Sequence, residues 1–219
     1  MRIRKLKNAR ERLESRSDIV IFEPQLHKGR WKELFNNDNP IYLEIGMGKG
    51  QFIIKHALQN PDINYIGLER EESVLVKAVE KAEEKPNNLF FIDGDANLIM
   101  DMFSENEIDK IFLNFSDPWP KSRHSKRRLT HDKNIENYKL ILKKDSFIEF
   151  KTDNRHLFEF SLKMFIYSNL EITNLSLNLH EDSEEIVTTE YEDKFVEAGN
   201  IIYFVEVKNG KHENIWTTS

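Results

Sequence analysis

Between residues 41 and 168 the chain alternates five times between a short apolar segment and a longer amphipathic one. That rhythm confines it to an α/β sheet, because parallel neighbouring strands need a crossover, usually a helix, to join them. Ile41–Ile45, Asn64–Leu68, Leu89–Ile92, Lys110–Phe115 and Ser146–Phe150 read as the strands. The helices that follow them are expected at 51–59, 73–84, 98–103, 132–142 and 155–168. The last third departs from this pattern. Glu171–Leu179 and Asn200–Lys208 read as strands with a short acidic helix near 190–198 between them, an antiparallel pair closing the sheet edge.

A chain of 219 residues suits one domain, and fifteen Phe supply core material despite a charged fraction of 32%. The absence of cysteine excludes disulfides, thiolate metal sites and cysteine nucleophiles, and suits a cytoplasmic setting. No apolar run approaches the roughly 18 residues of a membrane span, so no membrane partner is expected. The basic N-terminus lacks the apolar stretch of a secretory signal. The formal net charge of -6 is unevenly distributed. Residues 1–16 hold seven cations against Glu11 and Glu14, residues 121–128 hold five more, and residues 181–197 hold eight acids and one lysine. Screening confines each patch to about 8 Å, so two basic runs in an acidic chain point to a polyanionic partner. Residues 1–35 read as a basic, partly mobile extension, and residues 36–219 as the folded domain.

Leu43-Glu44-Ile45-Gly46-Met47-Gly48-Lys49-Gly50 uses three of the chain's eight glycines between the first strand and its helix. A glycine-rich turn there forms the nucleotide crevice of doubly wound folds. Gln51 follows Gly50, so neither a phosphate-binding Walker loop nor the dinucleotide fingerprint is satisfied. The acid-x-Gly-x-Gly-x-Gly pattern resembles the first motif of S-adenosylmethionine-dependent methyltransferases with a Rossmann-like fold. The resemblance places Glu44 near the methionine part of the cofactor, Glu69 on the ribose hydroxyls and Asp95 by the adenine, with Gly46 and Gly48 in the cofactor loop. Asp93 rivals Asp95, since both follow the same strand. Carboxylates suit a sulfonium cation bearing donor hydroxyls and an amino group.

Asn114-Phe115-Ser116-Asp117-Pro118-Trp119-Pro120 and the basic run to Arg128 follow the fourth strand. Two of six prolines and five cations fall within these last eleven residues, with no acid from Pro118 to His131. Asp117 is expected to face the glycine loop across the switch point. The motif is related in position to the Asp/Asn-Pro-Pro-aromatic motif of amino-group methyltransferases, but differs at Trp119. It is similar to that of the bacterial tRNA (guanine-N7-)-methyltransferase family, and the likeness runs nearly the whole chain. Phe150-Lys151-Thr152-Asp153-Asn154 and Thr189-Glu190-Tyr191-Glu192 match two further family motifs, while Arg155-His156 stands where many members have Arg-Gly.

The resemblance implies a mostly parallel seven-stranded sheet with one antiparallel edge strand and helices on both faces. It implies S-adenosyl-L-methionine as cofactor and the variable loop of tRNA as substrate, with Asp117 as cofactor contact and catalytic residue. Lys121, Asp153, Thr189, Glu190, Tyr191 and Glu192 would hold the guanosine, and Arg123, His124, Ser125, Lys126, Arg127 and Arg128 the RNA. The N-terminal arm from Arg2 to Arg16 would add phosphate contacts by ordering on binding. A monomer or homodimer without a metal is expected.

Guanine N7 carries a lone pair at neutral pH, so alignment and a negative field matter more than a general base. Partial deprotonation of guanine N1 is a lesser route. Asp153 and Glu192 are placed to accept from the guanine N1–H and amino group, and base discrimination through such groups reaches on the order of 10⁴-fold. Tyr191 or Trp119 is available to stack on the base, Trp119 reading first as a residue that stiffens its loop. The histidines form no metal pattern, with His180 in an acidic surface loop and His56 and His156 on helix faces. Two other readings stay open: a methyltransferase on another acceptor, and an RNA-binding homologue that has lost catalysis.

Overall fold

The computed structural model describes residues 6–82, 86–183 and 186–210. Arg2, Arg4 and Lys5 of the basic arm, Glu83 and Glu84 of an expected helix and Glu184–Glu185 of the acidic run lie outside the described residues. In chain order the elements are α1 (Ala9–Glu14), β1 (Val20–Ile21), α2 (Trp31–Phe35), β2 (Ile41–Ile45), α3 (Gln51–Gln59), β3 (Asn64–Glu69) and α4 (Glu72–Lys81). They continue with β4 (Leu89–Asp93), α5 (Ile99–Met102), β5 (Ile108–Asn114), α6 (Asp132–Ile141), β6 (Leu142–Thr152) and α7 (Arg155–Tyr167). β7 (Glu171–Ser176), α8 (Leu179–Asp182), α9 (Glu190–Glu197) and β8 (Tyr203–Lys208) complete them.

β2 sits at the centre of the sheet, and four of its five residues are buried, because helices cover both faces. Its neighbours are β3 and β5, both parallel, with Leu43 opposite Ile66 on one side and Ile111 on the other. The sheet order is β1-β4-β3-β2-β5-β6-β8-β7. The chain winds outward one way from β2 and the other way from β5, so a crevice opens between their carboxyl ends. One apolar layer, with Trp31, Phe103, Tyr138 and Phe158, fills one side of the sheet. A second, with Phe52, Val76, Phe91 and Phe112, fills the other under α1, α3 and α4. Local signals support the helices: the Asn154 side chain accepts from the Leu157 amide at 2.9 Å to start α7.

The sheet has eight strands among the described residues, not seven. The additional one is β1, two residues long and paired to β4. The antiparallel strand is β8, and it lies one place in from the edge, between β6 and β7. β7 closes the edge, running parallel to β6, because the excursion through α8 and α9 lets β8 return between them.

Residues 6–35 differ from a separate extension, because they pack on the domain. Leu13 and Trp31 are fully buried, and α1 packs on α4. The Trp31 indole Nε1 donates to the Met102 carbonyl at 3.0 Å, and its ring stacks on Phe103 at 5.4 Å. The cations of α1 and the turn after it face acids of this chain. Arg10 pairs with Asp93 at 2.8 Å, Arg12 with Glu80, and Arg16 with Asp18 at 3.1 Å. Trp31→Ala is therefore expected to cost about 3–5 kcal/mol of stability, measured by urea unfolding. A loss below ~1 kcal/mol, typical of surface substitutions, would show that residues 6–35 add little to the cooperative core.

Candidate active site

A cavity of about 290 Å³ opens at the carboxyl ends of β2, β3, β4 and β5. Its floor is the glycine loop, where Gly46, Gly48 and Gly50 all take positive φ. At Gly50 a Cβ would also come within 2.9 Å of the Ala78 Cβ, so only glycine lets α3 start this close to α4. Gly48 serves the site directly. Its amide donates to Glu69 Oε2 at 3.1 Å, and a Cβ there would meet nothing within 4 Å.

Three carboxylates from consecutive strand ends share this cavity: Glu69 after β3, Asp95 after β4 and Asp117 after β5. Burial raises the Glu69 pKa, and the amides of Glu71 and Gly48 hold the rise in check. Asp95 Oδ1 accepts from the Asn97 amide at 2.9 Å, which starts the next helical turn. Its rival Asp93 does not line the cavity and instead pairs with Arg10. Asp117 is exposed at the cavity mouth.

Glu44 lies beneath the glycine loop instead of lining the cavity, and it is 1% exposed. Its Oε1 accepts from Asn114 Nδ2 at 2.8 Å. Its Oε2 has no formed hydrogen bond, the Ile53 amide giving only weak support. Burial pushes the Glu44 pKa up to about 8, against the pull of Asn114 and the Lys151 charge. Asn114 Oδ1 and Ser116 Oγ are likewise buried without partners. Orphaned polar atoms of this kind commonly mark a place where a ligand or water completes the bonding.

The loop after β5 is held under strain. Phe115 and Trp119 both take positive φ, at 49° and 40°. Arg128 secures it, donating from Nε to the Pro118 carbonyl and from Nη2 to the Trp119 carbonyl, both at 3.0 Å. Its guanidinium lies 4.3 Å over the Phe160 ring on α7. Arg128 is thus largely committed within the protein. Arg127 lines the cavity and lies 4.9 Å over the Trp119 ring, whose edge meets His124 at 5.8 Å. Lys121, Arg123, Lys126 and Arg127 are exposed, and Ser125 is half-buried.

The second expected cluster borders the cavity. Thr189 caps α9 in a capping box with Glu192. Tyr191 stacks on Phe195 and tilts against Phe115, a cavity residue, at 5.2 Å. Its hydroxyl donates to Asp153 Oδ2 at 3.4 Å, and burial pushes its pKa up to about 12. Glu190 pairs with Lys49 at 3.0 Å and with Lys81, tying α9 to the glycine loop and α4. Glu192 is fully buried and makes three bonds within the protein, which removes it from the cavity. Phe115, Arg70, Val74, Leu129 and Asn134 also line the cavity and were not anticipated. Phe115 lies within the quoted motif without a role read for it; the other four carry no motif, and only the folded loops bring them there.

A family model described as a putative methyltransferase matches residues 38–205. A tRNA (guanine-N(7)-)-methyltransferase of Bacillus licheniformis is 49% identical, the match covering 95% of this chain and 99% of that protein. Those of Lachnoclostridium phytofermentans and a Geobacillus species are 48% and 50% identical, over 93% and 95% of this chain and 96% of each relative. The chain belongs to the tRNA (guanine-N7-)-methyltransferase family. Among solved structures, the 16S rRNA methyltransferase KamB superposes with a TM-score of 0.64 at 12% identity, over 82% of this chain and 92% of that one. At that identity the likeness shows the shared fold. Among the described residues of this family member, no helix is long and apolar enough to cross a membrane.

Glu44 gives the ligand-free protein a distinctive pH response. The folded protein keeps a proton that the unfolded chain releases as pH rises from the ordinary 4.5 to about 8. Stability attributable to this group is therefore complete below pH 4.5 and lost as pH rises through about 8. Glu44→Gln removes the titration. Its urea midpoint, compared with wild type across that window, is expected to gain on wild type as pH rises. A constant difference would show that Glu44 does not titrate there.

Proposed function

We propose that this chain transfers a methyl group from S-adenosyl-L-methionine to N7 of a guanosine in the variable loop of tRNA, forming 7-methylguanosine. The observation that carries the reading is the convergence of Glu69, Asp95 and Asp117 on one cavity beside an exposed basic run. Membership of the family supports the acceptor.

The residues fit the cofactor by their chemistry. Glu69 and Asp95 accept from hydroxyl and amino donors, and the open face of Gly48 admits a ligand close to the backbone. The orphaned Glu44 Oε2 suits an ammonium, which would draw this carboxyl into its charged form. When bound, S-adenosylmethionine supplies an electrophilic methyl carbon on a sulfonium centre.

The remaining work falls to this chain's own side chains. Asp117 stands where the cavity opens and provides a negative field for positive charge arriving on the purine. No base has to remove a proton from N7, so holding the acceptor in line is the main task. Asp153, beside the Tyr191 hydroxyl, is placed to accept from the guanine edge, and Tyr191 offers a ring for stacking. Lys121, exposed two residues beyond the strained Trp119, is a cation for the nucleotide's phosphate. The guanosine must leave its stack to enter. Lys121, Arg123, Lys126 and Arg127 then meet the RNA backbone, a shape-and-phosphate mode of binding.

The decisive assay is transfer of labelled methyl from S-adenosylmethionine to unmodified tRNA, followed by borohydride–aniline cleavage. Cleavage in the variable loop is expected, and label without cleavage would move the acceptor atom. Asp117→Asn is expected to lower kcat by about 100-fold or more, with cofactor affinity largely kept. Full activity in that variant would remove the electrostatic role. The double variant Lys126→Ala, Arg127→Ala is expected to raise the KM for tRNA and reduce the salt slope by about one for each phosphate left without its cation. An unchanged KM and slope would place the RNA surface elsewhere.

A further inference from the structure

Among the described residues, three charged side chains are buried: Glu44, Lys151 and Glu192. They do not sit apart. Glu44 on β2, Asn114 on β5 and Lys151 on β6 belong to adjacent strands, and Asn114 and Lys151 are direct register partners. Asn114 bonds Glu44, and beyond Asn114 the Lys151 ammonium donates to Glu192 Oε2 at 2.7 Å. Glu192 Oε1 meets His180 Nε2 at 3.0 Å, so the row runs from beneath the glycine loop out to α8. Lys151 also donates to the Val187 carbonyl at 3.1 Å and lies 4.9 Å over the Phe52 ring.

Burying two ions is costly unless their geometry and remaining hydrogen bonds are good. Here Glu192 accepts from Lys151, His180 and the Thr189 amide together. A fully bonded carboxylate with no exposed surface has no capacity left for a base edge. The pair fixes something else. Val187, Thr189 and Glu192 belong to the segment that delivers α9, and α9 carries Tyr191 against Phe115 and Asp153.

We infer that Lys151 is a positioning residue: through Glu192 it latches the 186–197 segment to the sheet and so sets Tyr191 and Asp153 at the acceptor side of the cavity. Glu192 acts as the other half of the latch, and guanine recognition falls to Asp153. Other ties to the segment, Gln51 to Asp193 at 2.8 Å and Lys49 to Glu190, are partly exposed and secondary. The inference rests on the proposed function for the meaning of the acceptor side.

The test uses the full chain as wild type, Lys151→Met and Glu192→Gln. Three quantities are read: hydrogen exchange across residues 186–198, S-adenosylmethionine affinity by calorimetry, and kcat and KM on unmodified tRNA. In Lys151→Met, exchange is expected to quicken across 186–198 but not in β2 or β5. Cofactor affinity should hold while kcat/KM for tRNA falls about 100-fold. Glu192→Gln, which keeps the cap acceptor but loses the charge, should move both readouts in the same direction by less. If Lys151→Met does not fold, Lys151→Met with Glu192→Leu replaces it, because an ion pair replaced whole by apolar residues commonly folds. Wild-type kcat/KM in a folded variant, or unchanged exchange in 186–198, overturns the inference. So does a loss of cofactor affinity matching the loss in kcat/KM, which would assign Lys151 to the cofactor side through Glu44. A wild-type chain that leaves tRNA guanine unmethylated overturns the proposed function instead, and the exchange data still decide whether the latch exists.

Discussion

The pairing of β2 with β5 is the constraint on which the rest of the structure depends. These two strands are neighbours in the sheet but far apart in sequence, with Leu43 opposite Ile111. Because the chain winds away from them in opposite directions, their following loops cannot cover the same ground, and a crevice is left between. The glycine loop forms the floor and the strained Asp117 loop one side. β3 and β4, stacked outward from β2, then bring Glu69 and Asp95 to the same opening. A shift of one residue in the β2–β5 register would turn Glu44 to the opposite face and break its bond to Asn114.

Two populations of cations follow from this arrangement. Those of α1 face acids of α4 and β4 and serve cohesion between the first residues and the sheet. Lys121, Arg123, Lys126 and Arg127 are exposed on the loop after β5, and Arg127 lines the cavity. Arg128 belongs with neither group. Its two bonds to the carbonyls of Pro118 and Trp119 offset part of the strain in a loop with two non-glycine residues at positive φ. The acidic last third has a matching internal role, since Glu190 and Glu192 pair with lysines of this chain.

The alternation of apolar and amphipathic segments was enough to read the main strands and helices, because burial on both faces leaves a continuous apolar run that is hard to mistake. The helix read at 51–59 is α3 to the residue. The glycine loop was likewise legible, since a tight turn of positive φ demands glycine, while Glu69, Asp95 and Asp117 were pointed to by the resemblance to methyltransferase motifs, and they line one cavity. β1 was not, because two residues carry no periodicity and pair only once β4 is in place. The position of β8 one strand in from the edge was also hidden, since strand order is a matter of non-local pairing.

By itself the sequence determined the α/β class, the strand-end acids and the basic run, all local features in which neighbouring residues dictate the backbone or the charge. Only the tertiary structure decided which charges are free to act. Asp93 and Asp95 are alike in sequence, but Arg10 arrives from α1 to take the first and leaves the second in the cavity. Glu192 reads from the sequence as an acceptor for the guanine edge, yet Lys151, 41 residues away, turns it into a buried anchor. The physical reason is the same in both cases. A charge is defined by its desolvation and its partner, and both are supplied by segments that meet only after the sheet has formed.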